Sequence, residues 1–70
     1  MGVLTVADMQ SNVARSIGHV SKQESIIVRL TDRGHDAMAA YARAILVTMH
    51  VHLAIEKEML ARLEADEPPA

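Results

Sequence analysis

The sequence has no cysteine, no tryptophan and no phenylalanine, and Tyr41 is its single aromatic residue. Without cysteine it can hold neither a disulfide framework nor a thiolate metal site, and it fits a reducing compartment. Half of its 70 residues are apolar. A chain of this size buries only about 60% of its unfolded surface when it folds alone. We therefore expect the excess apolar surface to be buried against a second copy, in a homodimer.

Proline and glycine are absent between His35 and Glu67. Apolar residues recur there over four heptads, which predicts a long amphipathic helix over residues 35–66. At 1.5 Å per residue this helix would be roughly 50 Å long, longer than the core of one small domain can cover. Part of it is therefore expected to pack against the same helix of a second chain. The expected dimer interface consists of Met38, Ala42, Ile45, Met49, His52, Leu53, Met59, Leu60 and Leu63.

The sequence shows no secretion signal, because its first ten residues lack both a basic and an apolar region. The apolar stretch from Ala37 to Ile55 has the length of a membrane span, but it contains Arg43, His50 and His52. Each of these would cost a few kcal/mol near the centre of a bilayer. We expect no membrane partner and a cytoplasmic location.

Charge is distributed unevenly along the chain. Residues 1–35 carry four basic and three acidic groups, whereas residues 36–70 carry three basic and six acidic groups. Any contact with nucleic acid is therefore expected in the first half.

The N-terminal half begins with a helix signal. Thr5 stands three residues before Asp8, the capping-box spacing that satisfies the free N–H groups of a helix start. The spacing of the following apolar residues predicts a first helix from about Val6 to Ile17, ended by Gly18.

The segment after Gly18 supports two interpretations. Ser21 to Glu24 repeats the capping-box pattern and could open a second helix, as in a helix-turn-helix. The consecutive β-branched residues from Ile26 to Val28 instead favour a short strand. In that case Thr31, at the end of the strand, would cap the long helix.

Four segments resemble the MarR-type winged-helix regulators of transcription. Ile27 to Ala37, with its Leu-Thr-x-x-Gly pattern, resembles the junction at which the last wing strand enters the dimerisation helix, and Ala54 to Leu63 resembles the end of that helical region. Leu4 to Met9 and Val20 to Gln23 are similar to the helix before the recognition helix and to the start of the recognition helix. Family members are about twice as long, and most of the recognition helix and the first wing strand are missing here.

The resemblance implies a mainly α, small winged-helix-like domain. It would have a short N-terminal helix or helix-turn-helix remnant, one short strand and a long C-terminal dimerisation helix. Residues 1–34 would form the region that contacts DNA, residues 35–66 the dimerisation helix, and residues 67–70 a tail. The expected DNA contacts, from side chains suited to phosphates and base edges, are Ser21, Lys22, Gln23, Arg29 and Arg33.

The predicted function is that of a small homodimeric regulator or repressor of transcription, which either binds DNA or pairs with a related regulator. A second resemblance is to the N-terminal half of Phd/YefM antitoxins, which would bind a toxin and their own promoter. It is carried by Thr5-Val6, Asp8-Met9, Asn12-Val13, Val20, Glu24-Ser25-Ile26, Val28 and Arg33-Gly34. A third alternative is a purely structural helical dimer or interaction module.

No catalytic arrangement and no cofactor site are expected, and the chain is not predicted to be an enzyme. His50 and His52 form a His-x-His pair, but residues two apart on a helix point away from each other and cannot chelate one ion. His52 and Glu56 share a helix face, and we interpret them as a hydrogen-bonded pair in a dimer seam rather than as metal ligands.

Overall fold

A computed structural model describes residues 4–66 as two antiparallel helices, α1 from Val6 to Asp32 and α2 from Asp36 to Asp66. The helices pack side by side along their length, and the molecule measures 53 × 24 × 15 Å. Its smallest dimension corresponds to a single layer of helices. The predicted tail, residues 67–70, lies outside the described residues.

The start of α1 carries the predicted capping box. The hydroxyl Oγ1 of Thr5 accepts a hydrogen bond from the backbone N–H of Asp8 at 3.1 Å, and Oδ2 of Asp8 accepts one from the backbone N–H of Thr5 at 3.1 Å. The bond from the Thr5 backbone, and after it the contact with the Thr5 side chain, lower the pKa of Asp8. The capping-box prediction is thus confirmed.

The predicted winged-helix-like fold class is wrong. Residues 4–66 contain no strand, and α1 continues through Gly18 and through the β-branched run from Ile26 to Val28 to end at Asp32. There is no helix-turn-helix break at Gly18. Thr31 does not cap α2 either, because its hydroxyl donates back to the Ile27 carbonyl within α1 at 2.8 Å.

The physical reason is a continuous packing seam between the two helices. Side chains spaced alternately three and four residues apart face the other helix, as in a coiled coil. Every one of these residues is buried or half-buried, and among residues 4–66 the others that are not exposed are Asn12 and Ile26. This hairpin seam consists, on α1, of Val6, Met9, Val13, Ser16, Val20, Gln23, Ile27 and Leu30, and, on α2, of Ala39, Ala42, Leu46, Met49, Leu53, Glu56, Leu60 and Leu63.

Burial in the seam decides the conformation of α1. The helix penalty of a β-branched residue is below about 0.7 kcal/mol and that of a glycine about 1 kcal/mol. Fully burying a Val, Leu or Ile side chain stabilises the folded state by about 1.5–3 kcal/mol. Val13 and Val20 are buried against Leu53 in the centre of the seam, with Leu46, Met49 and Leu60 packed around them. A strand from Ser25 to Thr31 would forgo the corresponding contacts of Ile27 and Leu30.

The helices are joined by a tight turn that depends on Gly34. Gly34 has a φ of 75°, in the left-handed region that glycine adopts without strain. Its N–H donates to the Thr31 carbonyl at 3.0 Å, and the N–H of His35 donates to the Leu30 carbonyl at 2.9 Å. These two bonds form a Schellman motif. The Leu-Thr-x-x-Gly pattern therefore ends one helix and reverses the chain.

Candidate protein-association surface

The α2 helix carries a second line of mainly apolar residues that α1 does not cover. Their spacing also alternates between three and four residues, so they form a continuous stripe along the helix. All of them are exposed, and the large apolar members range from Ile45 at 40% to Tyr41 at 72% exposure. This second stripe consists of Met38, Tyr41, Ile45, Thr48, His52, Ile55 and Met59.

The second stripe lies on one side of the hairpin. Near the turn it adjoins Ile26 and Leu30 of α1, which line a shallow apolar groove together with Met38, Tyr41 and Ile45. On the other side of the hairpin, Nη2 of Arg43 donates to the Thr31 hydroxyl at 3.2 Å. His50 and Lys57 follow Arg43 there at heptad spacing. Along α2, the line of residues through Arg43 is therefore polar, whereas the second stripe is mainly apolar.

The middle of the apolar side contains polar groups. Ser16 and His19 of α1 line a depression there with Thr48 and His52 of α2. Within the adjoining seam, the Ser16 hydroxyl donates to Oε1 of Glu56 at 2.6 Å. The surface is thus apolar towards both ends of α2 and can form hydrogen bonds near its centre.

The predicted dimer-interface residues fall into two groups. Met38, Ile45, His52 and Met59 belong to the exposed second stripe. The others belong to the hairpin seam and pack against α1 of the same chain. These seam residues are Ala42, Met49, Leu53, Leu60 and Leu63.

The predicted DNA-contact residues lie in the second half of α1 and just after its end. Ser21, Lys22, Arg29 and Arg33 are exposed. Gln23 is half-buried, and its Nε2 donates to the Ala42 carbonyl at 3.0 Å inside the hairpin. Ser21 lies in the middle of α1 rather than at a helix start, so no free backbone N–H groups accompany its side chain.

The histidines of α2 do not belong to a group of three metal-ligating side chains in the described part of the chain. Within residues 4–66 no three His, Asp or Glu side chains converge on a point that could hold an ion. Glu56, the proposed hydrogen-bond partner of His52, is instead bonded to Ser16.

Two features of α1 were missed by sequence reasoning. Arg15, Lys22 and Arg29 are spaced by seven residues and exposed, so they form one basic line along the helix. Ser16 and Gln23 occupy seam positions. They continue the seven-residue spacing that joins Met9 to Leu30, and this spacing indicates a shared helix face. Gly18 obscures this spacing, because a glycine at that position also resembles the end of a helix.

The α2 helix meets the length and hydropathy of a membrane span: its most apolar 18 residues have a mean hydropathy of 1.4, and 17% of them are buried. Core helices of soluble proteins also meet these two criteria. In the hairpin, α1 runs alongside this stretch and carries the basic line on its exposed surface. Inserting the hairpin into a bilayer would therefore bring these charges into the hydrocarbon region, at a cost of about 2.5–3.5 kcal/mol for each residue at its centre.

The fold and the surface define the chain as an antiparallel αα-hairpin with an uncovered apolar stripe on its second helix. Comparison of the chain with models of protein families, with curated proteins and with solved structures finds no match.

Proposed function

We propose that the chain is a helical association module, which acts by docking the second stripe of α2 onto an apolar surface of another protein molecule. The observation that carries this proposal is the contrast between the two sets of apolar side chains. Among residues 4–66, six apolar residues form the buried core, and no large side chain is less than 2% exposed. The second stripe alone exposes five large hydrophobic side chains: Met38, Tyr41, Ile45, Ile55 and Met59.

The total surface supports the same proposal. The chain exposes 5401 Å², whereas a compact monomer of 7.6 kDa exposes about 4300 Å² by the usual scaling with mass. The excess of roughly 1100 Å² per chain is more than the about 800 Å² that each partner contributes to a standard protein interface. Docking of the stripe would therefore bring the exposed surface close to that of an ordinary globular protein.

Site-specific photo-crosslinking in the native cells tests the proposal. A photo-reactive p-benzoylphenylalanine in place of Tyr41 is expected to yield a discrete protein adduct, because the side chain lies in the docked stripe. The same residue in place of Ser25, which is exposed on α1, is the matched control and should yield none. Equal yields from the two positions, or no adduct from position 41, would refute association through this stripe.

Regulation of transcription through DNA contact is a second candidate function, favoured by the basic line of Arg15, Lys22 and Arg29. Their spacing of seven residues places them about 10.5 Å apart along α1, where they could each reach a phosphate. Such contacts would bind DNA with little dependence on its sequence.

Gel-shift titrations at several salt concentrations test this second function. Each phosphate contact contributes about −0.9 to the slope of log K against log salt concentration. Lys22→Gln should therefore make the slope shallower by about that amount, while Lys57→Gln on α2 should leave it unchanged. No binding at low salt would exclude the function.

A further inference from the structure

We infer that the protein docked on the second stripe is a second copy of this chain, with the two α2 helices antiparallel about a two-fold axis near Thr48. This inference rests on the proposed association function and names its partner. The product would be a dimer of hairpins, with four helices and a single α2–α2 contact at its centre.

The first argument is that the stripe is complementary to itself. In an antiparallel pair related by a two-fold axis, the residue numbers of facing positions have a nearly constant sum. With the axis at Thr48, Met38 faces Met59 of the second copy, and Tyr41 faces Ile55. Ile45 faces His52, while Thr48 faces Thr48. Large apolar side chains thus meet at both ends of the contact, and hydroxyl groups capable of hydrogen bonding meet in the middle.

The second argument is charge. In the antiparallel register Arg62, three residues beyond Met59, lies far from Arg62 of the second copy. A parallel pairing would instead place Arg62 beside Arg62, and like charges in register are destabilising. Arg62 is exposed and forms a surface ion pair with Glu58. The charges therefore favour the antiparallel orientation.

The basic line of α1 restricts the contact to the α2 helices. A face-to-face arrangement in which α1 also met α1 would bring Arg15, Lys22 and Arg29 of one chain against the basic surface of the other. The α1 helices are therefore expected to lie at the outer edges of the dimer. There the basic groups remain in water.

The absence of cysteine from the sequence allows a direct test on the purified full chain, since any disulfide must then join introduced residues. Thr48→Cys places one thiol near the two-fold axis and is expected to give a disulfide-linked dimer on mild oxidation. Val47→Cys is the matched control: it lies at nearly the same height on α2, about 100° around the helix, and is 64% exposed. It should remain mainly unlinked.

The register is tested by mixing two further variants. Tyr41→Cys and Ile55→Cys should each link poorly to themselves but link to each other when mixed, because these two positions face one another. Light scattering on the unmodified chain should give the mass of two chains, and Tyr41→Glu should shift the equilibrium to one chain. Val47→Glu should leave the dimer intact.

The outcomes separate the two proposals. A chain that stays monomeric at high micromolar concentration, or one in which Val47→Cys links as readily as Thr48→Cys, overturns the inferred dimer. If the photo-adduct at position 41 is then a different protein, the association function survives without self-pairing. If the purified chain instead floats with anionic lipid vesicles and yields no protein adduct, both proposals fail.

Discussion

The hydroxyl of Ser16 donates a hydrogen bond of 2.6 Å to the carboxylate of Glu56, a residue 40 positions further along the chain. Both residues occupy seam positions that apolar side chains fill elsewhere, and both are half-buried. A polar pair of this kind is satisfied in one alignment of the two helices and would be left unpaired in a shifted alignment. Ser16 and Glu56 therefore fix the register of the hairpin.

Replacing this pair tests its role in register. Ser16→Ala should lower the free energy of unfolding by about 1 kcal/mol, since Glu56 then lacks its partner inside the seam. The double variant Ser16→Ala with Glu56→Leu should recover that stability, because two polar groups are exchanged for an apolar contact. Urea unfolding followed by circular dichroism measures both changes, with Ser25→Ala as an exposed control. Doubled amide resonances in the double variant would reveal a second register, and a double variant less stable than Ser16→Ala would contradict this account.

The two described glycines should respond to alanine in opposite directions. Gly18 lies inside α1 with open space around an added Cβ, so Gly18→Ala should stabilise the chain by about 0.5–1 kcal/mol. Gly34 has a positive φ, so Gly34→Ala should destabilise it by about 1–2 kcal/mol. Thermal unfolding of the two variants provides the comparison. A loss of stability in Gly18→Ala would argue against a continuous α1.

Substitutions in the seam are expected to lower the free energy of unfolding much more than substitutions on the exposed surface of α2. Leu53 is 8% exposed among Val13, Val20 and their neighbours, and Leu53→Ala should cost roughly 2–3 kcal/mol through lost burial and a cavity. Val51 is 56% exposed, and Val51→Ala should change stability by less than about 0.5 kcal/mol. Denaturation midpoints compare the two variants. Equal effects would mean that α2 packs through a different face.

The cap of α1 predicts a dependence of stability on pH. Hydrogen bonds from Thr5 hold the pKa of Asp8 below its ordinary value of 3.8, so the folded chain binds this proton less tightly than the unfolded chain does. The resulting stabilisation is present above 3.8 and is lost as the pH falls through the lower folded value. Asp8→Asn should therefore be less stable than the parent at pH 7, and the difference should shrink in acid. Glu24→Gln, which changes the net charge equally, serves as the control in melting curves at several pH values. A difference that stays constant into acid would rule out this role of the carboxylate.

Some elements follow directly from local sequence signals. The Thr5–Asp8 box marks the start of α1, and the absence of proline and glycine between His35 and Glu67 indicates an unbroken helix over the range of α2. Local signals misrepresent the region from Gly18 to Thr31, because a glycine and three β-branched residues resemble a break and a strand. The contacts of Val20, Gln23 and Ile27 with the other helix outweigh these weak preferences, and single-residue propensities do not contain that information.

The surface was partly visible in the sequence as well. The heptads of α2 predict one broad apolar stripe, and Met38, Ile45, His52 and Met59 of the predicted dimer interface belong to the exposed second stripe. The heptads alone could not show which face of α2 the first helix would cover. The break expected at Gly18 made α1 too short to predict a hairpin. The assignment of seam and stripe depends on α1 as a whole.

The Schellman turn at Gly34 also has a consequence for the order of folding. Closing a chain loop costs more entropy as the loop lengthens, and in a hairpin the shortest loops are those beside the turn. Leu30 and Ala39 can therefore make contact before Ser16 and Glu56 do. Contacts between the two helices should form first at the turn and then progressively towards the free ends. Gly34→Ala should then slow the rate of folding, whereas Ser16→Ala should mainly speed unfolding.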